Sequence, residues 1–330
     1  MKYRREFEVA VAAVREASLL CRSIQSTSSS GSLEKDDRSP VTVADFGSQA
    51  LICRVIGDAF PDDPIIAEED ATALQDPKNR LALDRVVREV SAIVGVVDER
   101  DVSRWINRGN SDRYSERFWT LDPIDGTKGF LRNDQYAVAL ALVIEGVTTV
   151  AAMACPKLNY PFDANGSDGS IYAAVKDEGA WAYEIDGARF NRIEVSSQAD
   201  PAGARFCESV ESAHSSHSDA AELARNLGIV RDPMRLDSQA KYAVVARGDA
   251  EIYLRLTKHT GYVEQIWDHA AGALVVEEAG GRVTDLNGDP LDFRHGPRLE
   301  RNIGIVATNA RFHDQVLTTL AGVLKSNRSR

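Results

Sequence analysis

Apolar residues recur at helical spacing over residues 4–24, where Phe7, Val11, Val14 and Leu19 share a stripe and predict an opening helix. The pattern then breaks. Ser26 to Ser39 is polar, Ser-rich and charged, and reads as a loop, either a plain surface connection or a flap. A second helical pattern runs through Ile52, Val55 and Ile56, and a short apolar strand, Ile65-Ile66-Ala67, ends in Glu68, Glu69 and Asp70. Asp76-Pro77 opens a helix reaching about Val94, with Asp as cap and Pro in the first turn. Asp98 to Glu116 reads as an exposed polar segment. Residues 136–153 hold two apolar runs parted by Glu145-Gly146, a hairpin signal.

Pro156, Pro161, Asn165-Gly166 and Gly169 crowd the stretch from Cys155 to Ser170, which marks the best lobe boundary and divides the chain into 1–158 and 159–330. Beyond it, strands are predicted at 171–175, 180–183, 234–236 and 251–256. Helices are predicted at 218–226, 238–247, 267–279 and 309–324, the third stopped by Gly280-Gly281, and Asn287-Gly288 marks a later turn. The mixture predicts an α/β protein of layered helices and sheets, with no internal repeat.

Composition narrows the class. With 330 residues, 43% hydrophobic and 27% charged, the chain has the make-up of a soluble enzyme of two modest lobes. No run approaches the roughly 18 uncharged apolar residues of a membrane span. The first residues carry acids at once and no long apolar core, which fits neither a secretory signal nor an organelle transit peptide. Cys21, Cys53, Cys155 and Cys207 form no C-x-x-C pair, which favours reduced thiols in the cytoplasm over a zinc cluster. A net charge of −11 disfavours nucleic acid and acidic membranes as partners.

The densest chemistry lies at Trp119-Thr-Leu-Asp-Pro-Ile-Asp-Gly-Thr-Lys-Gly-Phe130. An apolar approach delivers Asp122 and Asp125 onto a turn that Pro123 and Gly126 tighten, so both carboxylates can point at one place. Two such acids share a site as anions only with a cation between them. Asp45 and Asp268 each begin a helical pattern, and Glu68 ends a strand. Singly, the first two could be N-caps and the third a solubilising strand exit. Jointly, acids at the ends of apolar elements fit one cleft, and all-oxygen donors select magnesium, or manganese in its place, over zinc or copper.

These segments resemble the lithium-sensitive, magnesium-dependent phosphatases of the inositol monophosphatase superfamily, over nearly the whole chain, and within it the 3'(2'),5'-bisphosphate nucleotidases. The resemblance implies a five-layer αβαβα sandwich, with most metal ligands in the N-terminal lobe and the last in the C-terminal one. It implies that Glu68, Asp122, Asp125, Asp268 and the Ile124 carbonyl hold two or three magnesium ions, with lithium or sodium inhibitory. It implies that Asp45 and Thr127 orient and deprotonate the attacking water, while the peptide N–H groups around Gly126 and Thr127 hold the phosphate. His269, one position after Asp268, is expected to be structural.

Three later segments, 211–217, 236–242 and 252–256, resemble the nucleotidase-specific part of that superfamily. By that match His214, Ser238, Lys241 and Arg255 contact the adenosine and its 5'-phosphate, and Lys128 joins the two basic residues in offsetting the acidic charge. On residue type alone, His214 could be a solvent-exposed loop histidine, Ser238 an N-cap, and Arg255 a surface residue on a strand. The resemblance implies hydrolysis of adenosine 3',5'-bisphosphate to AMP, extending to 3'-phosphoadenylyl sulfate, by a monomer with a small-molecule substrate. The rival readings are an inositol monophosphatase or inositol polyphosphate 1-phosphatase, and a non-catalytic nucleotide binder. The binder predicts a damaged catalytic position, and Asp45, Glu68, Asp122, Asp125, Thr127 and Asp268 are all present.

Overall fold

The first helix, α1 (Arg4–Ser26), buries Phe7, Val11 and Val14 of the predicted stripe, but Leu19 is exposed and Leu20 takes the core position in its place. A computed structural model describes residues 1–26, 32–34, 40–112, 114–162, 169–210, 216–256 and 262–328. After α1 come the short antiparallel pair β1 (Ser32–Glu34) and β2 (Pro40–Thr42), then α2 (Val43–Ala59), β3 (Ile65–Ala67), α3 (Thr72–Gln75), α4 (Arg80–Val94) and α5 (Glu99–Asn107). Next are β4 (Arg117–Asp125), α6 (Thr127–Leu131), β5 (Ala137–Ile144), β6 (Val147–Cys155), β7 (Ser170–Val175), β8 (Gly179–Glu184) and β9 (Phe190–Ile193). The chain continues through β10 (Phe206–Glu208), α7 (His217–Leu227), β11 (Met234–Arg235), α8 (Ala240–Ala246) and β12 (Ile252–Arg255). It ends with α9 (Ala270–Glu278), β13 (Arg282–Thr284), β14 (Ile305–Thr308) and α10 (His313–Arg328).

Strands β3 to β9 form a seven-stranded sheet in sequence order; β3 runs parallel to β4 and the rest pair antiparallel. A second sheet has the order β11-β10-β12-β14-β13. Period-two alternation sorts the layers. Val138, Leu140 and Leu142 of β5 pack with α1, α2 and α4, whereas Ala139, Ala141 and Val143 pack with α8 and α9. Tyr253 and Ala307 of the smaller sheet join that inner core, while Leu254 and Val306 face α7 and α10. The result is the expected αβαβα order. Because β5 and β6 are covered on both faces, they read in sequence as unbroken apolar runs.

Helix α9 lies between the two sheets and buries every residue from Ala270 to Val276, so it has no polar stripe. Its small residues permit close approach: a Cβ on Gly272 would lie 2.2 Å from the Tyr242 ring of α8.

Four expectations need correction. The break at 158/159 falls inside the larger sheet, because β6 pairs with β7 from Val150↔Val175 to Cys155↔Ser170. The Pro- and Gly-rich stretch is a long hairpin connection, and the change of sheet comes after Ile193. Residues 98–116 contain α5, which is capped by Asp98 and buries Val102 and Ile106 four positions apart; the charged outer face hides this short stripe. The segment from Ser26 to Ser39 includes β1, whose ladder to β2 spans Ser32↔Thr42 to Glu34↔Pro40, while most of its other residues lie outside those described. The helix expected from Asp76 begins as a 3-10 turn over Pro77–Asn79 before α4. Strands β9, β10, β13 and β14 leave no signal in the sequence; at three or four residues each, they are too short to show a period.

Candidate metal centre

The acids converge where three pieces of the fold meet. Asp122 and Asp125 stay within β4, with no free-standing turn between them. The register passes from Asp122↔Ala139 to Asp125↔Ala137, so β4 carries one residue more than its partner. In a regular strand, side chains three apart face opposite sides; the extra residue turns both carboxylates to one side. Pro123 fits the bulge because it has no N–H for the ladder, and its carbonyl accepts a hydrogen bond from Ser48 Oγ at 2.8 Å. Gly126 follows with φ 87°, and a Cβ there would stand 3.0 Å from the Ser238 Cβ, so the turn into α6 requires glycine.

One carboxylate oxygen from each of Asp122, Asp125 and Asp268 lies within 4.8 Å of the others. Asp268 arrives on the 3-10 turn Ile266–Asp268 ahead of α9. Asp122 is 2% exposed, and its Oδ1 has no hydrogen-bond partner among the described residues. Burial first, then the charges of Glu68, Asp125, Asp268 and Asp45, push its carboxyl well above the ordinary 3.8. Asp268 is raised chiefly by burial and by Asp125, Glu68 and Glu264, with Arg255 opposing. Asp45 is buried in the first turn of α2, while Glu68 is exposed just past β3. The Thr127 hydroxyl donates to the Ile124 carbonyl at 3.2 Å. A buried oxygen without a partner, amid acids that resist ionising together, fits a hard divalent cation.

The expected nucleotide contacts fall differently. Lys241 is 3% exposed, and its Nζ donates to the backbone carbonyls of Ser238 at 2.6 Å and Leu236 at 3.3 Å. Burial lowers its pKa against the pull of Asp125. Ser238 has φ 71°, and its hydroxyl accepts from the Ala240 N–H at 3.2 Å, a local turn contact. Arg255 Nε reaches Glu264 Oε1 at 3.2 Å, and its Nη2 stands 3.9 Å from Asp268 Oδ2. His214 lies outside the described residues.

A neighbouring network carries no mark in the sequence. Glu264, 3% exposed at its side chain, pairs through Oε2 with His269 Nε2 at 3.1 Å, and Tyr242 OH stands 2.8 Å from His269 Nδ1. Burial raises the Tyr242 phenol and lowers His269; with a carboxylate accepting from the imidazole Nε2–H, Nδ1 is left to accept from the phenol. Burial raises Glu264, but the hydrogen bond from His269 and the Arg255 charge outweigh it and hold the carboxyl below its ordinary 4.5. His269 faces Tyr242 and Glu264 within this network, and one atom each of Glu264, Asp268 and His269 lies within 4.8 Å of the others. No local pattern singles out Glu264, because its two side-chain partners, Arg255 and His269, sit on other elements.

Known proteins resemble this chain over nearly its whole length. A model of the inositol monophosphatase family matches residues 2–325. The chain is 40% identical to a 3'(2'),5'-bisphosphate nucleotidase of Schizosaccharomyces pombe, covering 98% of this chain and 97% of that one. It is 41% identical to 3'(2'),5'-bisphosphate nucleotidase 2 of Candida albicans, with 98% of each covered. Among solved structures, an IMPase of Thermotoga maritima superposes with TM-score 0.66 at 21% identity over 98% of each chain. CysQ from Bacteroides thetaiotaomicron, described as a bacterial member of the same family, gives 0.60 at 19% identity over 93% of this chain and 98% of that one. At such identities the structures speak to fold alone. No helix among the described residues is long and apolar enough to cross a membrane.

Proposed function

The chain belongs to the inositol monophosphatase family, and from that premise we propose that it removes the 3'(2')-phosphate of adenosine 3'(2'),5'-bisphosphate to give AMP and phosphate. The reading rests most on the Asp122 oxygen that has no partner among the described residues, inside a cluster of acids, on a chain 40% identical over its length to a nucleotidase of that name. Glu68, Asp122, Asp125, Asp268 and the Ile124 carbonyl would hold two or three magnesium ions, with manganese able to substitute and lithium or sodium inhibitory. Bound there, divalent cations lower the pKa of the attacking water and neutralise the leaving oxygen.

The residues of the chain do the rest. Asp45, buried in the first turn of α2 beside the cluster, takes the water's proton through the Thr127 hydroxyl. The N–H groups after the left-handed Gly126 hold phosphate oxygens. Arg255, kept cationic by Glu264, offers its remaining guanidinium N–H groups to the 5'-phosphate. Lys241 contributes field to the same pocket, and Ser238 and His214 line the nucleoside. The acids and these contacts divide between the two sheets, α2 and β4 on one side and the 238–268 stretch on the other. A small-molecule substrate, a monomeric chain and a cytoplasmic setting complete the reading; the four buried thiols fit a reducing compartment.

The test compares phosphate release from adenosine 3',5'-bisphosphate, 3'-phosphoadenylyl sulfate and inositol 1-phosphate, with magnesium and with chelator. Magnesium-dependent turnover that favours the nucleotides is expected; preference for inositol phosphate, or no turnover, overturns the reading. Lys241→Ala should raise KM for the bisphosphate several-fold, about 1 kcal/mol, and more than for a nucleotide lacking the 5'-phosphate. Equal changes would confine Lys241 to its backbone contacts.

A further inference from the structure

Two buried glutamines tie together the backbone segments that carry the acids. Gln49, on α2 one turn after Asp45, is fully buried, and its amide meets the main chain of Glu69 in both directions. Oε1 accepts from the Glu69 N–H at 3.0 Å, and Nε2 donates to the Glu69 carbonyl and to the Ile106 carbonyl of α5, the latter at 3.0 Å. This two-way pairing imitates a strand ladder just where β3 ends, and it fixes the peptide beside Glu68 relative to Asp45. Gly109 leaves room for it, since a Cβ there would lie 2.8 Å from Gln49 Nε2. Gln239, 2% exposed, does the same on the other side of the cluster. Its backbone N–H donates to Asp125 Oδ2 at 2.6 Å, its Nε2 to the Trp267 carbonyl at 2.8 Å, and its Oε1 accepts from the Gly272 N–H at 3.4 Å. Asp268 lies between those last two anchors.

We propose that Gln49 and Gln239 are positioning residues for the metal centre, holding Asp45 to Glu68 and Asp125 to Asp268 so that mutually repelling carboxylates stay converged before any cation arrives. The proposal rests on the metal-centre reading above. A neutral amide suits this role because it supplies both donor and acceptor without adding charge to an acidic site. An apolar side chain of similar length would leave the Glu69 and Trp267 peptide groups without these partners and let the acids spread.

The test measures Mn²⁺ binding to the full chain, without substrate, by the electron paramagnetic resonance signal of the free ion. Wild type should bind and Asp125→Asn should bind far more weakly; failure of wild type to bind overturns the metal-centre reading and this proposal with it. Gln49→Met and Gln239→Met should each weaken Mn²⁺ binding about tenfold or more, while KM for the nucleotide at saturating metal changes less than about twofold. Wild-type Mn²⁺ affinity in folded variants, even with lowered melting temperature, would leave the glutamines merely structural and defeat the proposal. Circular dichroism reports folding. If the Met variants do not fold, Gln49→Asn and Gln239→Asn, which keep the amide but shorten its reach, decide by the same criterion.

Discussion

Two buried carboxylate groups meet at Asp268, and the protein treats them in opposite ways. Glu264 is completed from within: His269 donates to one oxygen, Arg255 to the other, and its acidity is strengthened. Asp122 is equally buried, yet one oxygen has no partner among the described residues and its charged neighbours are other acids, so its acidity is weakened. Burial costs both groups similarly; the difference lies in what each faces. A carboxylate with complementary partners is part of the scaffold. One set among its own kind awaits a ligand.

Asp125→Asn should break the contrast most completely. Removing one negative donor should lower magnesium-dependent phosphate release on the order of 10³-fold with the circular dichroism spectrum kept; wild-type rates would show that the cluster is not the reaction centre. Glu264→Ala attacks the other half by leaving Arg255 and His269 without their shared partner. Urea unfolding should show a loss of about 3–5 kcal/mol, and an unchanged midpoint would deny the network a structural role.

Magnesium at a hundred times its Kd should stabilise wild type by about 2.7 kcal/mol over chelator, a gain absent from Asp125→Asn. Smallest is the charge effect itself. In chelator, Asp122→Asn should be more stable than wild type near neutral pH, on the order of 1 kcal/mol, the worth of one pKa unit. The sign follows from linkage. The folded state holds a proton on Asp122 more readily than the unfolded chain does. The penalty is therefore full above its raised value and fades as pH falls toward 3.8. Glu264 runs the other way, its contribution complete above 4.5 and lost as pH falls through its lowered value. The advantage of Asp122→Asn should thus shrink on acidification, and a constant gap across pH would remove charge repulsion as its cause.

The sequence by itself determined the local matters: the long helices, the apolar strands of the larger sheet, and the placing of Asp45, Glu68, Asp122, Asp125 and Asp268 at the ends of apolar elements. Each is set by the periodicity, Pro and Gly within a few residues. Only the tertiary structure decided what depends on distant partners. The bulge that turns Asp122 and Asp125 to one side needs β5 as its register. The carrying of β6 into β7 across a Pro- and Gly-rich loop overrides a local boundary signal. The use of Glu264, Gln49 and Gln239 as fasteners comes from groups on other elements, up to 57 positions away in the chain. Spacing reports what one element can present; a hydrogen bond across elements exists only once packing has brought both ends together.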